Sequence, residues 1–196
     1  MARIEGRAEG DTIAEVTLRP QVPMGAFHAL GYVCAMGVVE GLRAAGAGYA
    51  AIGWPSDVVD GRTDRGLCAL RMHAGYDKGM FATCAVVAGR QIGLLRELSD
   101  DELADAIEAG VRARVDGWES DIIAGRGVAG PLAPVLSEYF DLVALLGRPA
   151  VATYPNGNEM ARGTFAGVDI WGRATLVTDD GRELEFPPEQ ASIRPA

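Results

Sequence analysis

The sequence predicts an α+β protein in which a larger domain of helices and strands is followed by a small domain of strands. Two long segments carry apolar residues at helical spacing, and several short segments alternate as half-buried strands do. After Gly147 the chain contains only short alternating runs separated by turn dipeptides. This change of character predicts two domains, residues 1–128 and residues 129–196, the second beginning with a helix.

The first domain begins with a predicted strand and a predicted helix, followed by three predicted strands. Residues 12–19 place apolar and polar side chains on opposite sides, which is the period of a half-buried strand. Residues 27–45 have the apolar face of a helix, formed by Leu30, Cys34, Val38, Leu42 and Ala45. Residues 49–54 then indicate a short buried strand, and residues 66–73 and 80–88 indicate two more strands joined by a turn.

A second long helix is predicted to begin at Ser99. Glu102 stands three residues later and completes a capping box, in which each side chain satisfies a backbone amide of the first turn. The apolar stripe of this helix is Leu103, Ile107, Val111, Val115 and Trp118. Pro131 suits the first turn of a further helix, which Gly147 ends. The predicted core face of that helix is Leu132, Leu136, Tyr139, Phe140, Val143 and Leu146.

The C-terminal segment is predicted to be a small antiparallel barrel or sandwich. Its predicted strands are residues 150–154, 163–170, 174–178 and 183–186. Between them stand the hairpin dipeptides Asn156-Gly157, Trp171-Gly172 and Asp180-Gly181. The predicted aromatic core of this domain is Tyr154, Phe165, Trp171 and Phe186.

Composition excludes several classes of partner. With 18 basic and 27 acidic residues, the net charge of −9 repels both phosphate backbones and anionic lipid surfaces, so neither nucleic acid nor membrane is expected. The three cysteines form no C-x-x-C pair, which gives no support to a zinc site or a disulfide framework, and no metal site is predicted. We find no signal peptide or uninterrupted apolar span and therefore expect a cytoplasmic protein.

One series of motifs resembles the biotin protein ligases of the biotin/lipoate ligase family. In that family a helix leads to a lysine and Trp-Pro-Asn-Asp, then to a strand that opens with a Gly-Ile-Leu-like triplet. The corresponding residues here are Gly53, Trp54-Pro55-Ser56-Asp57 and Gly66-Leu67-Cys68. The resemblance covers roughly residues 12–196. It implies a catalytic domain with a mixed β-sheet, followed by an SH3-like β-barrel.

The same resemblance implies the ATP-dependent attachment of biotin to a carboxylase carrier domain, with biotin and Mg-ATP as ligands. Several positions depart from the family pattern: Thr63 and Gly53 replace lysines, Ser56 replaces an asparagine, and a later asparagine falls at Gly93. The arginine-rich loop survives only as residues 6–10, and the strand and helix expected before it are absent. The resemblance is therefore to a ligase shortened at its N-terminus, with degenerate active-site motifs.

Few cations are left to act in place of the missing lysine. Arg62 or Arg65 takes that place if the register slips, although arginine is a poor substitute for a compact ammonium group. The only lysine, Lys78, falls in a predicted exposed hairpin. Arg90 and Gln91 face the ligand pocket if the family geometry holds, and otherwise lie on the surface.

Several candidate residues allow both a structural and a functional interpretation. Trp54 and Pro55 either close the end of the sheet or form the floor of a ligand site. Asp57 is either a turn or cap residue or a contact of the nucleotide region that the resemblance implies. His28 and His73 have no acid or nucleophile at a recognisable spacing, so we expect them to be packed or exposed rather than catalytic.

Two functions follow from these observations. The first is a biotin protein ligase-like protein with reduced or lost catalysis. The alternative is a non-catalytic binding or interaction protein derived from a ligase, or a relative acting on lipoate or another small carboxylic acid. The predicted ligand-binding residues are Trp54, Pro55, Ser56, Asp57, Gly66, Leu67, Arg90 and Gln91.

The predicted partners are a carboxylase biotin-carrier domain and either a second copy of the chain or a polypeptide that completes the N-terminal segment. A homodimer is expected through the edge next to residues 12–19, because an unpaired strand offers free backbone groups. A monomeric mass by light scattering at micromolar concentration would contradict it.

Overall fold

The computed structural model describes residues 10–94 and 98–196. Of the predicted loop at residues 6–10, only Gly10 lies within the described residues. The helices are α1 (Leu30–Ala44), α2 (Asp100–Ile123) and α3 (Leu136–Leu142), with short 3₁₀ turns at Met24–Ala29 and Arg90–Leu94. The strands are β1 (Thr12–Leu18), β2 (Ala50–Gly53), β3 (Asp57–Asp60), β4 (Gly66–Tyr76), β5 (Met80–Ala88), β6 (Pro149–Thr153), β7 (Glu159–Val168), β8 (Ala174–Val177), β9 (Glu183–Phe186) and β10 (Ser192–Pro195).

The strands form two sheets, which confirms the predicted α+β class. The first sheet has the order β1-β5-β4-β3-β2 with antiparallel neighbours, and a parallel bridge joins Ile52 to Val143. The second sheet has the order β10-β6-β7-β8-β9, is antiparallel throughout and forms the predicted C-terminal barrel-like domain. Gly157, Gly172 and Gly181 have positive φ angles in its hairpins, as the turn dipeptides predict.

The predicted periods of β1 and α2 are confirmed. In β1, Val16 and Leu18 are buried while Glu15 and Thr17 are exposed. In α2, the buried residues are the five of the predicted stripe, Leu103, Ile107, Val111, Val115 and Trp118. The capping box is also present, since Ser99 Oγ accepts from the Glu102 amide and the Glu102 carboxylate accepts from the Ser99 amide at 2.8 Å.

Helix α1 is buried on nearly all sides because it packs against both the first sheet and α2. The segment Met24–Ala44 is long and apolar enough to span a membrane, but 72% of its apolar window is buried inside the protein. That burial is the behaviour of a core helix. Gly37 and Gly41 of α1 face Ala106 and Gly110 of α2, and the missing side chains let the two backbones approach closely.

Two predictions of local structure are wrong, and one strand was missed. The helix predicted from Pro131 is confined to α3, since residues 131–135 form turns and the amide of Leu132 donates to the barrel carbonyl of Ile170 at 3.1 Å. Strand β3 was not predicted, because its four residues are too few to show a period. In the barrel Phe165 and Phe186 are buried as expected, but Tyr154 and Trp171 are 48% and 49% exposed.

The two domains meet at a turn of the barrel. The carbonyl oxygen of Gly172 accepts hydrogen bonds from Tyr32 Oη at 2.8 Å and from Trp54 Nε1 at 3.0 Å. On the neighbouring segment, Tyr139 Oη donates to the carbonyl of Pro55 at 3.0 Å. A single hydrophobic core includes buried residues of both sheets. The boundary after residue 128 stays a prediction.

Candidate ligand-binding site

A cavity of about 460 Å³ lies between the first sheet and the C-terminal domain. Its sheet side is formed by Gly53, Trp54, Asp57, Val59, Gly66, Cys68, Ala69, Val87, Ala88 and Gly89. The C-terminal domain contributes Ala144, Leu145, Ile193, Arg194 and Pro195, and the lining is completed by Gly10 and Asp64. The volume is in the range of small-molecule sites, and most of the lining is apolar, as such sites usually are.

The structure brings together only part of the predicted site. Trp54, Asp57 and Gly66 line the cavity. Pro55 and Ser56 instead line a separate groove of about 250 Å³, and the Leu67 side chain is buried in the core. In β4 successive residues point to opposite faces of the sheet, so Gly66 and Leu67 cannot both face the cavity. Trp54, Pro55 and Ser56 lie in the turn between β2 and β3, where the side chains diverge.

Trp54 serves both the core and the cavity wall. Its side chain is only 3% exposed, and its indole nitrogen is satisfied by the barrel carbonyl of Gly172. The indole therefore holds the barrel against the first domain while it forms part of the cavity surface. The two interpretations of Trp54 from the sequence are compatible.

Asp57 is the unpartnered charge of the cavity. It begins β3, and among the described residues its carboxylate forms no hydrogen bond or ion pair. Asp57 is exposed to solvent, but the surrounding protein atoms are close enough for desolvation to raise the pKa of the carboxyl group. The site therefore contains a carboxylate whose charge the cavity walls do not compensate.

The other two charged residues of the lining already have partners or lie near one. Asp64 accepts two hydrogen bonds from the Arg148 guanidinium, at 2.8 and 2.7 Å. Arg194 belongs to β10. The pKa of Glu159, on the same barrel face, is lowered mainly by its hydrogen bond to Arg162 and to a smaller extent by the charge of Arg194. Neither Arg148 nor Arg194 forms a hydrogen bond or an ion pair with Asp57.

Arg62 is held away from the cavity by a structural role. Its Nε and Nη2 atoms donate to the two carboxylate oxygens of Asp60 at 3.2 and 3.1 Å, and its guanidinium lies 4.0 Å from the centre of the Tyr49 ring. Asp60 is only 3% exposed, and hydrogen bonding to Arg62 lowers the pKa of its carboxyl group. Arg62 thus neutralises a buried carboxylate, and it does not line the cavity.

Replacing Arg62 with alanine is expected to lower the free energy of unfolding at pH 7, because the buried Asp60 loses its counter-ion. The pairing depresses the folded-state pKa of Asp60, so its contribution is complete above the unfolded value of about 3.9 and is lost as the pH falls below it. Urea unfolding at pH 7 and pH 3 checks this. Arg65→Ala, which removes an exposed arginine from the same turn, is the control. An equal loss at both pH values would contradict the assignment.

Arg65, Arg90 and Gln91 lie together on a neighbouring cleft rather than in the cavity. This cleft, of about 490 Å³, shares Gly66 and Gly89 with the cavity. Arg90 and Gln91 were predicted to face the ligand pocket, but in the structure they border the adjoining cleft. Two arginines at its border make the cleft the more cationic of the two spaces.

The remaining candidates lie elsewhere. Thr63 is exposed in the turn between β3 and β4, and Lys78 is exposed in the turn between β4 and β5. His28 stacks on Trp171 with ring centres 5.6 Å apart, and His73 lies on the outer part of β4. No group of three or more metal-binding side chains is found in residues 10–94 and 98–196.

The residues that the C-terminal domain contributes to the cavity wall were not predicted from the sequence. Leu145 follows α3, and Ile193 and Arg194 belong to β10, the last strand of the chain. Alternation in β10 places Ile193 among the buried residues and Arg194 outward, and no local motif distinguishes this arginine from others on the barrel surface. Its position at the cavity follows from how the two domains pack.

The fold is similar to solved structures of biotin protein ligase from Aquifex aeolicus. The apo structure has a TM-score of 0.67 and 13% identity, and the match covers 93% of this chain and 81% of that chain. The complex with biotin and ATP has a TM-score of 0.68 and 13% identity, covering 93% and 77%. No family model matches this chain, and a search of curated proteins found no match. The protein therefore has a biotin protein ligase-like fold, and identity this low speaks to the fold alone.

Proposed function

Starting from a biotin protein ligase-like fold, we propose that this protein binds a small molecule in the cavity without adenylating it. The observation that carries the proposal is the charge of the lining, in which, among the described residues, the carboxylates of Asp57 and Asp64 accompany the single cation Arg194. A ligase-like fold that has kept a largely apolar cavity but has lost its adenylation chemistry accounts for both the cavity and its charge.

The residues of the cavity do not fit a nucleoside triphosphate with its magnesium ion. Adenylation brings a carboxylate against the α-phosphate of ATP, and catalysis depends on preorganised cations and donors around both anions. Here Asp57 faces the same space as an unpaired carboxylate, and Thr63 stands where the related enzymes have a lysine. An apolar body such as that of biotin suits the walls, whereas its carboxylate meets repulsion at Asp57.

An active ligase is the second candidate, and one observation favours it. The cleft with Arg65 and Arg90 adjoins the cavity at Gly66 and Gly89, so a ligand spanning both spaces meets cations at one end. This alternative is an enzyme that uses Mg-ATP to activate biotin, lipoate or another small carboxylic acid, with a carrier domain as its protein partner. Arg7 lies outside the described residues, three positions before the cavity residue Gly10. In this alternative it is a further cation for the ligand.

Pyrophosphate exchange separates the two candidates. The purified full chain is incubated with Mg-ATP, labelled pyrophosphate and either biotin or lipoate, beside an active biotin protein ligase as the assay control. We expect no exchange above the rate without an acid, and no heat on titration with a non-hydrolysable biotinyl-adenylate analogue. Acid-dependent exchange would overturn the proposal and establish the enzyme, and its disappearance in Arg65→Ala would assign the activity to the cationic cleft.

Two further properties belong to this proposal. Strand β1 is at an edge of the first sheet, which supports the homodimer expected from the sequence and its light-scattering test. Cys34, Cys68 and Cys84 are buried free thiols, which supports a cytoplasmic location. Fractionation of cells that express the tagged protein checks the location, and recovery outside the cytoplasm would contradict it.

A further inference from the structure

Among the described residues, Asp57 is the carboxylate of the cavity lining that has no cationic partner. Asp64 is neutralised by Arg148 through two hydrogen bonds. Arg194 shares its barrel face with Glu159 and Arg162, and its electrostatic effect is felt at Glu159. Among the described residues no cation or donor contacts the Asp57 carboxylate, although it lines the cavity.

Asp57 is exposed to solvent, and the other cavity residues of its own strand and of β4 are apolar. Val59, Cys68 and Ala69 come from its own strand and from β4, and Trp54 precedes it by three residues. Burial is the main reason why the pKa of the Cys68 thiol is raised, and the charge of Asp57 raises it further. The two groups are therefore within electrostatic reach of each other. A carboxylate held among such groups gains most from a partner that brings a positive charge and N–H donors.

Resting on the proposed function, we propose that the ligand is a small organic cation, an apolar body that carries a protonated amine to Asp57. The apolar walls take the body, and the ammonium group donates hydrogen bonds to a carboxylate that otherwise has no partner among the described residues. A carboxylic acid of the same shape is disfavoured, because it places a second negative charge beside Asp57. The cavity thereby prefers a charge opposite to that of biotin.

Matched probes of equal shape test this preference. The first set is phenethylamine, 2-phenylethanol and 3-phenylpropionate, and the second is hexylamine, hexanol and hexanoate. Binding is followed at pH 7 by chemical-shift changes in the isotope-labelled full chain, which detect millimolar affinities. We expect at least one amine to bind about tenfold or more tightly than its alcohol and its carboxylate, the typical effect of a charge-assisted hydrogen bond.

Two variants assign the preference to Asp57. Asp57→Asn keeps the shape and removes the charge, so it is expected to bring the amine to within about twofold of the alcohol. Asp105→Asn removes an exposed carboxylate from α2 by the same chemistry and is expected to change nothing. Retention of the native spectrum by both variants excludes misfolding as the cause.

Three results would overturn the proposal: binding of none of the probes, tighter binding of either carboxylate, or an amine preference that survives Asp57→Asn. These outcomes are distinct from failure of the proposed function. Acid-dependent pyrophosphate exchange would remove the non-catalytic assignment whatever the amines do. Absence of exchange together with preferred carboxylate binding would leave a non-catalytic binding protein and reject only the cationic ligand.

Discussion

Replacing Gly37 with alanine is expected to lower the free energy of unfolding by about 3 kcal/mol, the upper part of the range for overpacked cores. A Cβ atom on Gly37 would lie 2.6 Å from both the carbonyl oxygen of Gly110 and the Cα atom of Val111. Both are backbone atoms of α2, so no side-chain rotation relieves the contact. The two helices must separate, and contacts between α1 and α2 are the most extensive between any two elements described.

The control for Gly37→Ala is Gly117→Ala in α2. Gly117 is exposed, and a Cβ atom there would meet nothing within 4 Å. Because alanine favours a helix over glycine, this variant is expected to raise the free energy of unfolding by about 1 kcal/mol. Urea unfolding followed by circular dichroism compares the two variants. Equal effects would show that α1 and α2 do not approach as closely as the structure has them.

The second large effect is expected for Gly172→Ala, at the turn where the barrel meets the first domain. Gly172 has a φ of +91°, and a Cβ atom there would lie 2.5 Å from Tyr32 Cζ. The substitution combines backbone strain with displacement of the Tyr32 ring, whose hydroxyl donates to the carbonyl of the same glycine. We expect a loss of about 3 kcal/mol or more, since each of the two effects alone costs about 1–3 kcal/mol.

Gly181→Ala separates these two contributions. Gly181 has a φ of +81° in another barrel hairpin, but nothing lies within 4 Å of the Cβ position. Its replacement is therefore expected to lower the free energy of unfolding by only about 1–2 kcal/mol, the strain of placing alanine in the left-handed backbone conformation. Urea unfolding gives the loss of unfolding free energy for each variant. The amount by which the loss in Gly172→Ala exceeds that in Gly181→Ala measures the contribution of the contact between the domains. Equal losses in the two variants would show that the Tyr32 contact contributes nothing.

The Gly172 substitution should also disturb the cavity. Trp54 donates to the same carbonyl and lines the cavity, so a shift of the turn moves one of its walls. We expect the fluorescence maximum of the native protein to shift to longer wavelength in Gly172→Ala and to remain unchanged in Gly181→Ala, because only the former exposes an indole held between the domains.

Local chemistry explains why parts of the fold were predictable. The apolar stripe of α2 repeats at the helical period and its start is marked by Ser99 and Glu102, so the helix and its buried face follow from the sequence. The hairpins of the barrel follow from glycines such as Gly157 and Gly181, which tolerate the positive φ that these turns require. Strand β3 and the shortening of α3 were not predictable, because contacts with β2, β4 and the barrel decide them.

The sequence by itself determined the fold class, the order of the domains and the position of Trp54 directly after a buried strand, since these depend on period, caps and turns. Only the tertiary structure decided which charges face the cavity. Arg62 turns to the buried Asp60, whereas Arg194 reaches the cavity from the far end of the chain. The partners of a charged side chain are set by the register of strands and the packing of domains, which no local pattern of residues records.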